Sequence, residues 1–570
     1  MRWNLNFLIK INFFARTVLS LKGVQIFYRL WYLVRSKLGL ISTSKNLGNH
    51  ELTWYPNGFK APFICYRQWQ KWDIENRSFE FLNETICFDS EVDWGVSEKG
   101  RLWCYNLHYF QYLLLNEGIN AGYAVDLIKN WIEKNSVGSP DAWDPFPISL
   151  RLVNWIKFLS LNNISEEDKA VIVDSMAFQT RWLLKHLEYH LLGNHMFKNG
   201  KALMFMGLFF NGIEAGKWLE KGLTIVGAEL DEQVLDDGGH FERSPMYHSM
   251  VLEDCLDLLN IVKAKKNSAL KGFADTLEEK TGKMVRYLSS MTHPDGRIGL
   301  FNDAAFGIET APDGLFGYYK RVTGKELEMC SDNVQIFQDS GYYILAPDSE
   351  TKMILDCGHV GPEYQPGHSH CDTLSFELSV KGMRVIVDSG CFQYEDGDIR
   401  EYNRGNIGHN TITIDDENQS EVWGAHRCAR KAAPLEVECG EKENGVLFFK
   451  GGHDGYKRLK GKPVHFREVT FQDKTWKIRD RIEGKKKHTI ESRLHLHPSM
   501  ELEFEKNEIM VGTSGKRVLK IQLRGNGVIK IEKGWYCPEF GKKYACDVLV
   551  YQEDLVDLPF ESGWELEMVN

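Results

Sequence analysis

The spacing of apolar residues changes near residue 330, and this change limits what the chain can fold into. Between about residues 100 and 330, apolar residues recur every three or four positions, as in "PISLRLVNWIKFLSL" and "KAVIVDSMAFQTRWLLKHLEYHLL". That spacing is typical of amphipathic helices. After about residue 334 the chain divides into short, often alternating segments separated by glycine, aspartate and asparagine, such as "HNTITIDD". That pattern predicts short antiparallel strands. We therefore expect a helical unit followed by a β unit.

The helical unit could be a solenoid, a bundle or a toroid, because its periodicity does not distinguish them. Pro145 and Pro147 predict a helix entry, where proline is tolerated. The β unit is expected to be an antiparallel sandwich. With 570 residues, the chain is too long for one hydrophobic core. It is predicted to be an α+β multidomain protein with an extension at 1–48, a helical domain at 49–335 and a sandwich at 336–570.

The first 50 residues are basic and rich in aromatic side chains. They contain eight lysines and arginines and no acidic residue, so 61 basic residues face 79 acidic ones in the remainder. A basic, apolar head on an acidic body suggests peripheral contact of residues 1–40 with an anionic membrane surface. The alternative is a helical extension packed on the main domain.

Targeting and redox signals are weak. Lys10 and Arg16 interrupt the apolar run that a secretory signal needs, and no stretch is long enough to span a bilayer. The twelve cysteines include no CxxC pair, which favours buried, reduced thiols. We expect a cytoplasmic protein, or one at the cytoplasmic face of a membrane, without a nucleic-acid partner.

Three stretches concentrate polar residues between apolar ones. In "LLGNHMFKNGKALMF", Asn194 and His195 precede an apolar segment, and asparagine there is ordinarily a helix cap. In "DDGGHFERSPMYHSM", a Gly-Gly turn leads to His240, Arg243, Tyr247 and His248. A loop with locally satisfied polar groups would have the same composition.

The third stretch is "GHSHCDTLSFELSVKGMRVIVDSG" and its continuation. His370 precedes one predicted strand, Asp388 ends the next, and His409 begins another. Two imidazoles and a carboxylate suit a zinc site with an open or water-filled fourth position. Histidines at strand ends are also common as ordinary polar residues near solvent.

Taken together, these stretches resemble the heparinase II/III-like polysaccharide lyases. The resemblance rests on "GHSHCDTLSFELSVKGMRVIVDSG" and "REYNRGNIGHNTITIDDENQSEVW", and upstream on "WDPFPISLRLVNW", "GNHMFKNGKAL", "GGHFERSPMYH" and "PDGRIGLFNDAAFG". It covers about residues 50 to 500 in the same order. It implies an incomplete (α/α) toroid followed by an antiparallel β-sandwich, and cleavage of an acidic, uronic-acid-containing polysaccharide by β-elimination.

The resemblance also implies roles for individual residues. Such a lyase needs a group that neutralises the uronate carboxylate, a base for the C5 proton and an acid for the leaving oxygen. Asn194, alone or together with His195, matches the neutraliser. Tyr247 matches the acid, or both the acid and the base, and His368 matches the catalytic histidine. A tyrosine acting as base needs a lowered pKa, which Arg243 or His248 could provide. Substrate-binding roles are expected for Arg151, His240, Arg243, His248, Tyr402 and Arg404.

The same resemblance places His370, Asp388 and His409 where some members hold zinc. Such an ion would order the loop that contains His368 rather than activate water, because elimination needs no hydroxide nucleophile. No organic cofactor is expected. The basic head and acidic body suggest action on a lightly charged polymer, as in surface-polysaccharide metabolism.

Two other functions remain open from the sequence. An (α/α) toroid can also contain a glycosidase with two carboxylates, here Asp236, Asp237 or Glu242. The fold could also act without turnover, as a carbohydrate-binding or assembly factor.

Overall fold

The computed structural model describes residues 2–38, 52–55, 58–64, 71–73, 77–114, 120–328, 330–505 and 508–569. Lys45, Cys65 and the predicted boundary between residues 48 and 49 lie outside these ranges. In the described parts, no helix has both the length and the apolar character needed to cross a bilayer. The described cysteines are all free, and most are buried.

Two helices form an N-terminal arm, residues 2–38. They are α1 (Arg2–Leu19) and α2 (Gly23–Lys37). The helices of the toroid follow in chain order: α3 (Arg101–Tyr109), α4 (Ala121–Lys134), α5 (Pro145–Leu161), α6 (Glu166–Lys185), α7 (Gly193–Phe209), α8 (Ile213–Gln233), α9 (Pro245–Lys265), α10 (Lys271–Ser290) and α11 (Pro312–Thr323). A short helix, α12 (Asp398–Arg404), lies within the β unit.

Local sequence explains where several helices begin. Helix α5 starts at Pro145, as predicted, where the missing N–H of proline costs nothing. The Ser165 hydroxyl accepts a hydrogen bond from the Asp168 N–H and caps α6. The Ser244 hydroxyl caps α9 in the same way and accepts the Tyr247 N–H. This cap fixes Tyr247 in the first turn of α9.

Helix α7 is the central helix of the toroid and is almost entirely buried. It packs against α5, α6, α8 and α9. Two glycines let α7 and α8 approach closely, because a Cβ on Gly207 would lie 2.5 Å from the Leu219 nitrogen and one on Gly222 would lie 2.7 Å from the Met204 nitrogen. The N-terminus of α7 is thereby held rigidly, together with Asn194 and His195 in its first turn.

The strands of the β unit are paired antiparallel throughout. They are β6 (Val334–Phe337), β7 (Tyr342–Asp348), β8 (Thr351–Asp356), β9 (Phe376–Val380), β10 (Met383–Ile386), β11 (Ile412–Ile414), β12 (Val422–Trp423), β13 (Arg427–Cys428), β14 (Pro434–Glu441), β15 (Leu447–His453), β16 (Val464–Gln472), β17 (Thr475–Glu483), β18 (Lys487–His495), β19 (Glu501–Glu505), β20 (Glu508–Thr513), β21 (Lys516–Arg524), β22 (Val528–Glu539), β23 (Lys542–Asp557) and β24 (Phe560–Met568). Five short strands precede them within the helical half: β1 (Thr53–Trp54), β2 (Lys71–Asp73), β3 (Ser78–Phe81), β4 (Glu84–Cys87) and β5 (Phe210–Asn211).

Three sheets build the sandwich. Their strand orders are β10-β9-β8-β7-β6, β14-β15-β16-β17-β24-β21-β20-β19 and β11-β18-β23-β22. Alternate residues of these strands, such as Phe376, Phe449 and Trp564, pack into one buried core. The predicted fold class, an incomplete (α/α) toroid followed by an antiparallel β-sandwich, is confirmed. The first sandwich strand begins at Val334, two residues before the predicted start of that domain.

The toroid and the sandwich are joined by hydrogen bonds around Arg243. Arg243, beside the cap of α9, donates to the backbone carbonyls of Asp339 and Ser340, and the Tyr342 hydroxyl donates to the Arg243 carbonyl. These bonds fix the walls of the cleft that lies between the two units.

Candidate active site

A cavity of about 760 Å³ lies between the toroid, the sandwich and the N-terminal arm. Its walls come from helices α3, α5, α7 and α9, from the loop that ends at His368, and from Tyr394 and Arg427 of the β unit. The volume falls in the range of about 300–1,000 Å³ that is usual for small-ligand sites. Four residues predicted to be catalytic, Asn194, His195, Tyr247 and His368, all line this cavity.

Asn194 is buried in the first turn of α7 and does not cap the helix. The N-cap position is Leu192, which makes no side-chain capping bond, and the Asn194 amide donates instead to Glu242 Oε1 at 3.1 Å. Leu192 and Gly193 both have positive φ angles, of 65° and 58°. This uncommon turn directs the amide into the cavity.

His195 follows on the same turn of α7. Its Nδ1 lies 3.0 Å from Glu188 Oε1, and its ring packs 4.5 Å from the Phe146 ring. Burial lowers the pKa of His195, but the Glu188 carboxylate outweighs it and raises the pKa above the ordinary value. His195 can therefore carry positive charge beside Asn194.

Tyr247 and His368 lie in direct contact. Their ring centroids are 4.1 Å apart, and the Tyr247 hydroxyl is 2.8 Å from the Tyr394 hydroxyl. Burial, followed by the nearby Glu242 carboxylate, raises the pKa of Tyr247 well above its ordinary value. Tyr247 therefore keeps its proton at neutral pH.

Asp303 fixes the orientation of His368. His368 Nδ1 donates to Asp303 Oδ2 at 2.9 Å, which leaves Nε2 as the nitrogen that faces Glu242 Oε2 at 3.7 Å. Arg400 donates to both oxygens of Asp303. Burial alone would raise the pKa of Asp303, but the Arg400 guanidinium holds it well below its usual range. The ionised Asp303 thus selects the His368 tautomer with a free Nε2.

Glu242 lies behind the site and is almost fully buried. Burial raises the pKa of Glu242, against the lowering effect of His368 and the Asn194 amide. Its Oε2 has no hydrogen-bond partner among the described residues. Glu242 is therefore placed to orient Asn194 and to stabilise a positive charge on His368.

The six predicted substrate-binding residues lie outside the cavity lining, which differs from the expectation. Arg151 is fully buried in the toroid and donates to Gln179 and to the carbonyls of His108 and Ala142. The other five are engaged by groups of the chain itself. His240 contacts Gln233, His248 contacts the Met284 carbonyl, and Tyr402 accepts the Trp535 N–H. Arg243 donates to three carbonyls, and Arg404 donates to the carbonyls of Ser369, Gly424 and Arg427.

The same contacts rule out one expected effect on Tyr247. Arg243 and His248 were expected to lower its pKa, yet their polar atoms are directed to backbone carbonyls of other elements. The pKa of Tyr247 is instead raised, by burial and then by the nearby Glu242 carboxylate.

A second polar cluster lies beneath the site. His370 Nδ1 and His409 Nε2 are buried and have no hydrogen-bond partner among the residues that the structure describes. A carboxylate oxygen of Asp372 lies within 4.8 Å of the ligand atoms of both rings. The far nitrogens are held by carboxylates: His370 Nε2 donates to Asp303 Oδ1 and His409 Nδ1 donates to Asp388 Oδ2, each at 2.8 Å. Asp388, predicted as a ligand, thus orients His409, and Asp372 takes the predicted third position.

This donor set fits a metal ion. Two buried imidazole nitrogens and one carboxylate oxygen converge, and each histidine is oriented by a carboxylate on its other nitrogen, as in many zinc sites. Asp303 contacts both His370 and His368. It therefore connects this polar cluster with the cavity.

Three residues of the site were not singled out from the sequence as catalytic-site residues. Asp303 stands within the quoted "GLFNDAAFG", Tyr394 stands within "FQYEDG", and Glu242 was considered only for a glycosidase. Asp303 and Arg400 are 97 positions apart, so no local pattern connects them. The one sequence feature that could have pointed to Asp303 was its position in a loop rich in glycine and alanine.

Comparison with known proteins gives a family. Residues 52–313 match the family described as Heparinase II/III N-terminus, and residues 331–565 match Heparinase II/III-like, C-terminal. A heparin-sulfate lyase of Bacteroides stercoris is 24% identical over 484 residues, which are 74% of this chain and 68% of that protein. One of Bacteroides thetaiotaomicron is 25% identical over 395 residues, 61% of this chain and 53% of the relative. The chain thus spans between about half and two thirds of these relatives.

Solved structures show the same fold. A heparinase III crystal structure superposes with a TM-score of 0.69 at 19% identity, covering 89% of this chain and 82% of that one. The heparan sulfate lyase HepC of Pedobacter heparinus superposes with a TM-score of 0.61 at 21% identity, covering 85% and 80%.

Proposed function

The chain belongs to the heparinase II/III-like family of polysaccharide lyases, and we propose that it cleaves a uronic-acid-containing polysaccharide by β-elimination in the cavity described above. One observation supports this most directly. Asn194, Tyr247 and His368, which come from α7, α9 and a loop of the β unit, line one cavity, with Tyr247 and His368 in ring contact.

The first requirement of the reaction is to weaken the negative charge of the uronate carboxylate. That charge makes the neighbouring C5 proton hard to remove. An amide donor within a buried site can hydrogen-bond the carboxylate and stabilise the enolate that forms. Asn194 supplies the amide, and His195, whose pKa is raised by Glu188, adds positive charge.

The roles of base and acid follow from which atom has a free lone pair and which side chain keeps its proton. His368 Nε2 is unprotonated in the tautomer set by Asp303, so it accepts the C5 proton. The imidazolium that results lies 3.7 Å from Glu242 Oε2, which stabilises it. Tyr247 keeps its proton because its pKa is raised, and it donates that proton to the leaving 4-oxygen. The C5–H and C4–O bonds break as the C4–C5 double bond forms.

Zinc would be held by His370, His409 and Asp372. When bound, the ion would supply positive charge that fixes the His370 ring. Because Asp303 accepts hydrogen bonds from both His370 and His368, a fixed His370 also fixes the base. The role is structural, since elimination consumes no water.

The charge in the cavity favours a lightly charged polymer. The lysines that line its toroid wall are paired: Lys157 with Asp257, Lys198 with Asp254, and Lys201 with both aspartates. Few positive charges remain for sulfate groups. A uronate polymer with little sulfate, as in bacterial surface polysaccharides, suits this cavity better than a heavily sulfated glycan.

The exposed apolar side chains of the N-terminal arm support peripheral contact with an anionic bilayer. Among the described residues, 11 of 26 exposed large hydrophobic side chains lie between residues 11 and 38. They are Ile11, Phe14, Leu19, Val24, Ile26, Phe27, Leu30, Trp31, Leu33, Val34 and Leu38. The first 50 residues are free of acidic side chains, so apolar burial and charge attraction act together.

Vesicle sedimentation tests this contact. The protein should sediment with vesicles that contain phosphatidylglycerol and much less with pure phosphatidylcholine. The double variant Phe27→Ser, Trp31→Ser should lose binding, whereas Val528→Ser, Leu555→Ser, which alters exposed apolar residues of the sandwich, should not. Equal sedimentation of both variants would contradict the assignment.

The lyase activity is tested on a panel of uronic-acid polysaccharides. The unsaturated uronate formed by elimination absorbs in the ultraviolet, whereas hydrolysis produces a reducing end without that absorbance. We expect Tyr247→Phe and His368→Ala each to lower kcat by about a hundredfold or more, and Tyr123→Phe, an exposed tyrosine on α4, to change nothing. Reducing ends without absorbance would indicate a hydrolase, although neither Asp236 nor Asp237 lines the cavity.

A further inference from the structure

The N-terminal arm is part of the cavity wall. Phe14, Thr17, Val18, Leu21 and Arg29 line the cavity opposite the toroid helices. The matched family region begins at residue 52, so the arm lies outside it. The match to the family therefore says nothing about what the arm does to the cavity.

The arm is anchored to the toroid through α2. Gln25 is buried and donates to the Leu191 carbonyl at 3.1 Å, just before α7. Arg35 donates to the Lys185 carbonyl at 2.6 Å, and the Tyr28 and Tyr189 rings stack at 4.6 Å. These contacts hold α2 along the loop between α6 and α7.

The arm is also anchored to the β unit. Trp423 Nε1 donates to the Thr17 hydroxyl at 3.2 Å, and Phe13 lies against the Trp423 ring. The Lys22 ammonium lies 3.9 Å above the Tyr364 ring and also pairs with Glu232 of α8. The arm thus bridges both walls of the cleft, and a polymer could not leave on this side without displacing it.

Two arginines line the cavity near the place where the arm contacts the sandwich. Arg29 of α2 and Arg427 of β13 both line the cavity. Neither guanidinium makes an ion pair or a hydrogen bond with the described residues, and both side chains are exposed to solvent. The Arg427 guanidinium lies over the face of the Trp423 ring at 4.7 Å. Burial and then the charge of Arg427 lower the pKa of Arg29, so the two cations repel each other. An anion bound by both guanidinium groups would relieve this repulsion.

We propose that the N-terminal arm closes one end of the cavity, and that Arg29 and Arg427 together bind the carboxylate of a uronate near the substrate's chain end. The enzyme then removes short units from chain ends instead of cutting within the polymer. This inference rests on the proposed lyase function and names the part of the substrate that the site recognises.

Steady-state kinetics on a uronate oligosaccharide test the arginine pair. Arg29→Gln and Arg427→Gln should each raise KM by about tenfold, the lower end of what a charged hydrogen bond contributes, with kcat within about twofold. Arg29→Lys should recover most of the loss, because it restores the charge. Lys37→Gln is the matched control, since Lys37 also lies on α2 but outside the cavity lining. If Arg29→Gln and Arg427→Gln both behave like Lys37→Gln, the anion site is refuted.

Product length over time tests the closed end. The wild type should release one short unsaturated product from the first minutes while the remaining polymer stays long. Lys22→Glu combined with Trp423→Ala should loosen the arm and add products of intermediate length. An early ladder of intermediate products from the wild type would overturn the closed end yet leave the lyase function intact. Complete absence of unsaturated product would instead refute the proposed function, and this inference with it.

Discussion

Replacing Asp303 by asparagine tests how the base of the reaction is oriented. Asp303 is fully buried and accepts hydrogen bonds from His368 Nδ1, His370 Nε2 and both terminal nitrogens of Arg400. An asparagine has one acceptor oxygen and a donor NH₂ group, so it cannot satisfy all of these donors. It also leaves the Arg400 charge without its counter-ion.

Asp303→Asn should affect both the stability of the fold and kcat, and each effect can be estimated separately. Breaking a buried ion pair costs about 3–5 kcal/mol of unfolding free energy, within a typical total of about 5–15 kcal/mol. We therefore expect a folded but less stable protein. The loss of the tautomer with a free Nε2 should lower kcat by about a hundredfold or more.

The stability difference should also depend on pH. The folded-state pKa of Asp303 lies well below its ordinary value, so its contribution is present above the unfolded carboxylate pKa of about 3.9. The contribution is lost as pH falls from there through the folded-state pKa. The gap in urea-unfolding free energy between wild type and Asp303→Asn should therefore narrow in acid.

Asp480→Asn is the matched control. Asp480 is equally buried in the sandwich and accepts from His465 and from two nitrogens of Arg467, at 2.7–3.0 Å. It should lose a similar amount of stability while kcat on a uronate polymer stays unchanged. If Asp303→Asn keeps kcat within threefold of wild type, or if both variants lose kcat equally, the orientation of His368 by Asp303 is refuted.

Three further predictions test the turn before α7, the metal cluster and a buried lysine. Gly193→Ala should cost about 1–3 kcal/mol of stability and lower kcat, because Gly193 has a φ of 58° and a Cβ there would lie 2.3 Å from Gln365 Oε1; unchanged urea unfolding and kcat would contradict this. Purified wild type should contain about one zinc per chain by mass spectrometry, and His409→Ala should lose it while His465→Ala keeps it; equal content in all three would exclude the cluster. Burial lowers the pKa of Lys352 to about 8, so the unfolded state binds more protons between about pH 8 and 10. The free energy of unfolding in urea should therefore rise with pH across that window, and it should rise less in Lys352→Met. If the free energy of unfolding changes with pH equally in both proteins, the pKa of Lys352 is not lowered in the folded state.

The architecture could be predicted from the sequence because it depends on local periodicity. The change from helical to alternating spacing near residue 330 corresponds to the loop between α11 and β6. Pro145 marks the start of α5 for a purely local reason, the missing N–H. Neither prediction requires knowledge of which residues meet across the fold.

The site was harder to predict where side-chain direction decides. Asn194, Tyr247 and His368 were grouped through the family motifs, and the structure brings them to one cavity. Asp372 and Asp388 both lie close to His409 in the folded chain. The direction of each carboxylate decides that Asp372 joins the cluster with His370 and His409, whereas Asp388 orients the His409 ring. No spacing rule contains that information.

The predicted substrate arginines show a physical limit of a different kind. A sequence shows that Arg151, Arg243 and Arg404 are charged, but not that Arg151 and Arg404 are buried or that all three donate to backbone carbonyls. A guanidinium has five N–H donors, and irregular segments leave carbonyls that strands and helices do not satisfy. In this fold, buried arginines therefore serve to close the interfaces between elements. A substrate can be bound only by cations that no carbonyl or carboxylate of the chain already engages. Among the described residues that line the cavity, Arg29 and Arg427 meet that condition. Recognition of an anionic polymer by an acidic protein then depends on a few unpaired charges at one end of the cavity, rather than on a broad basic surface.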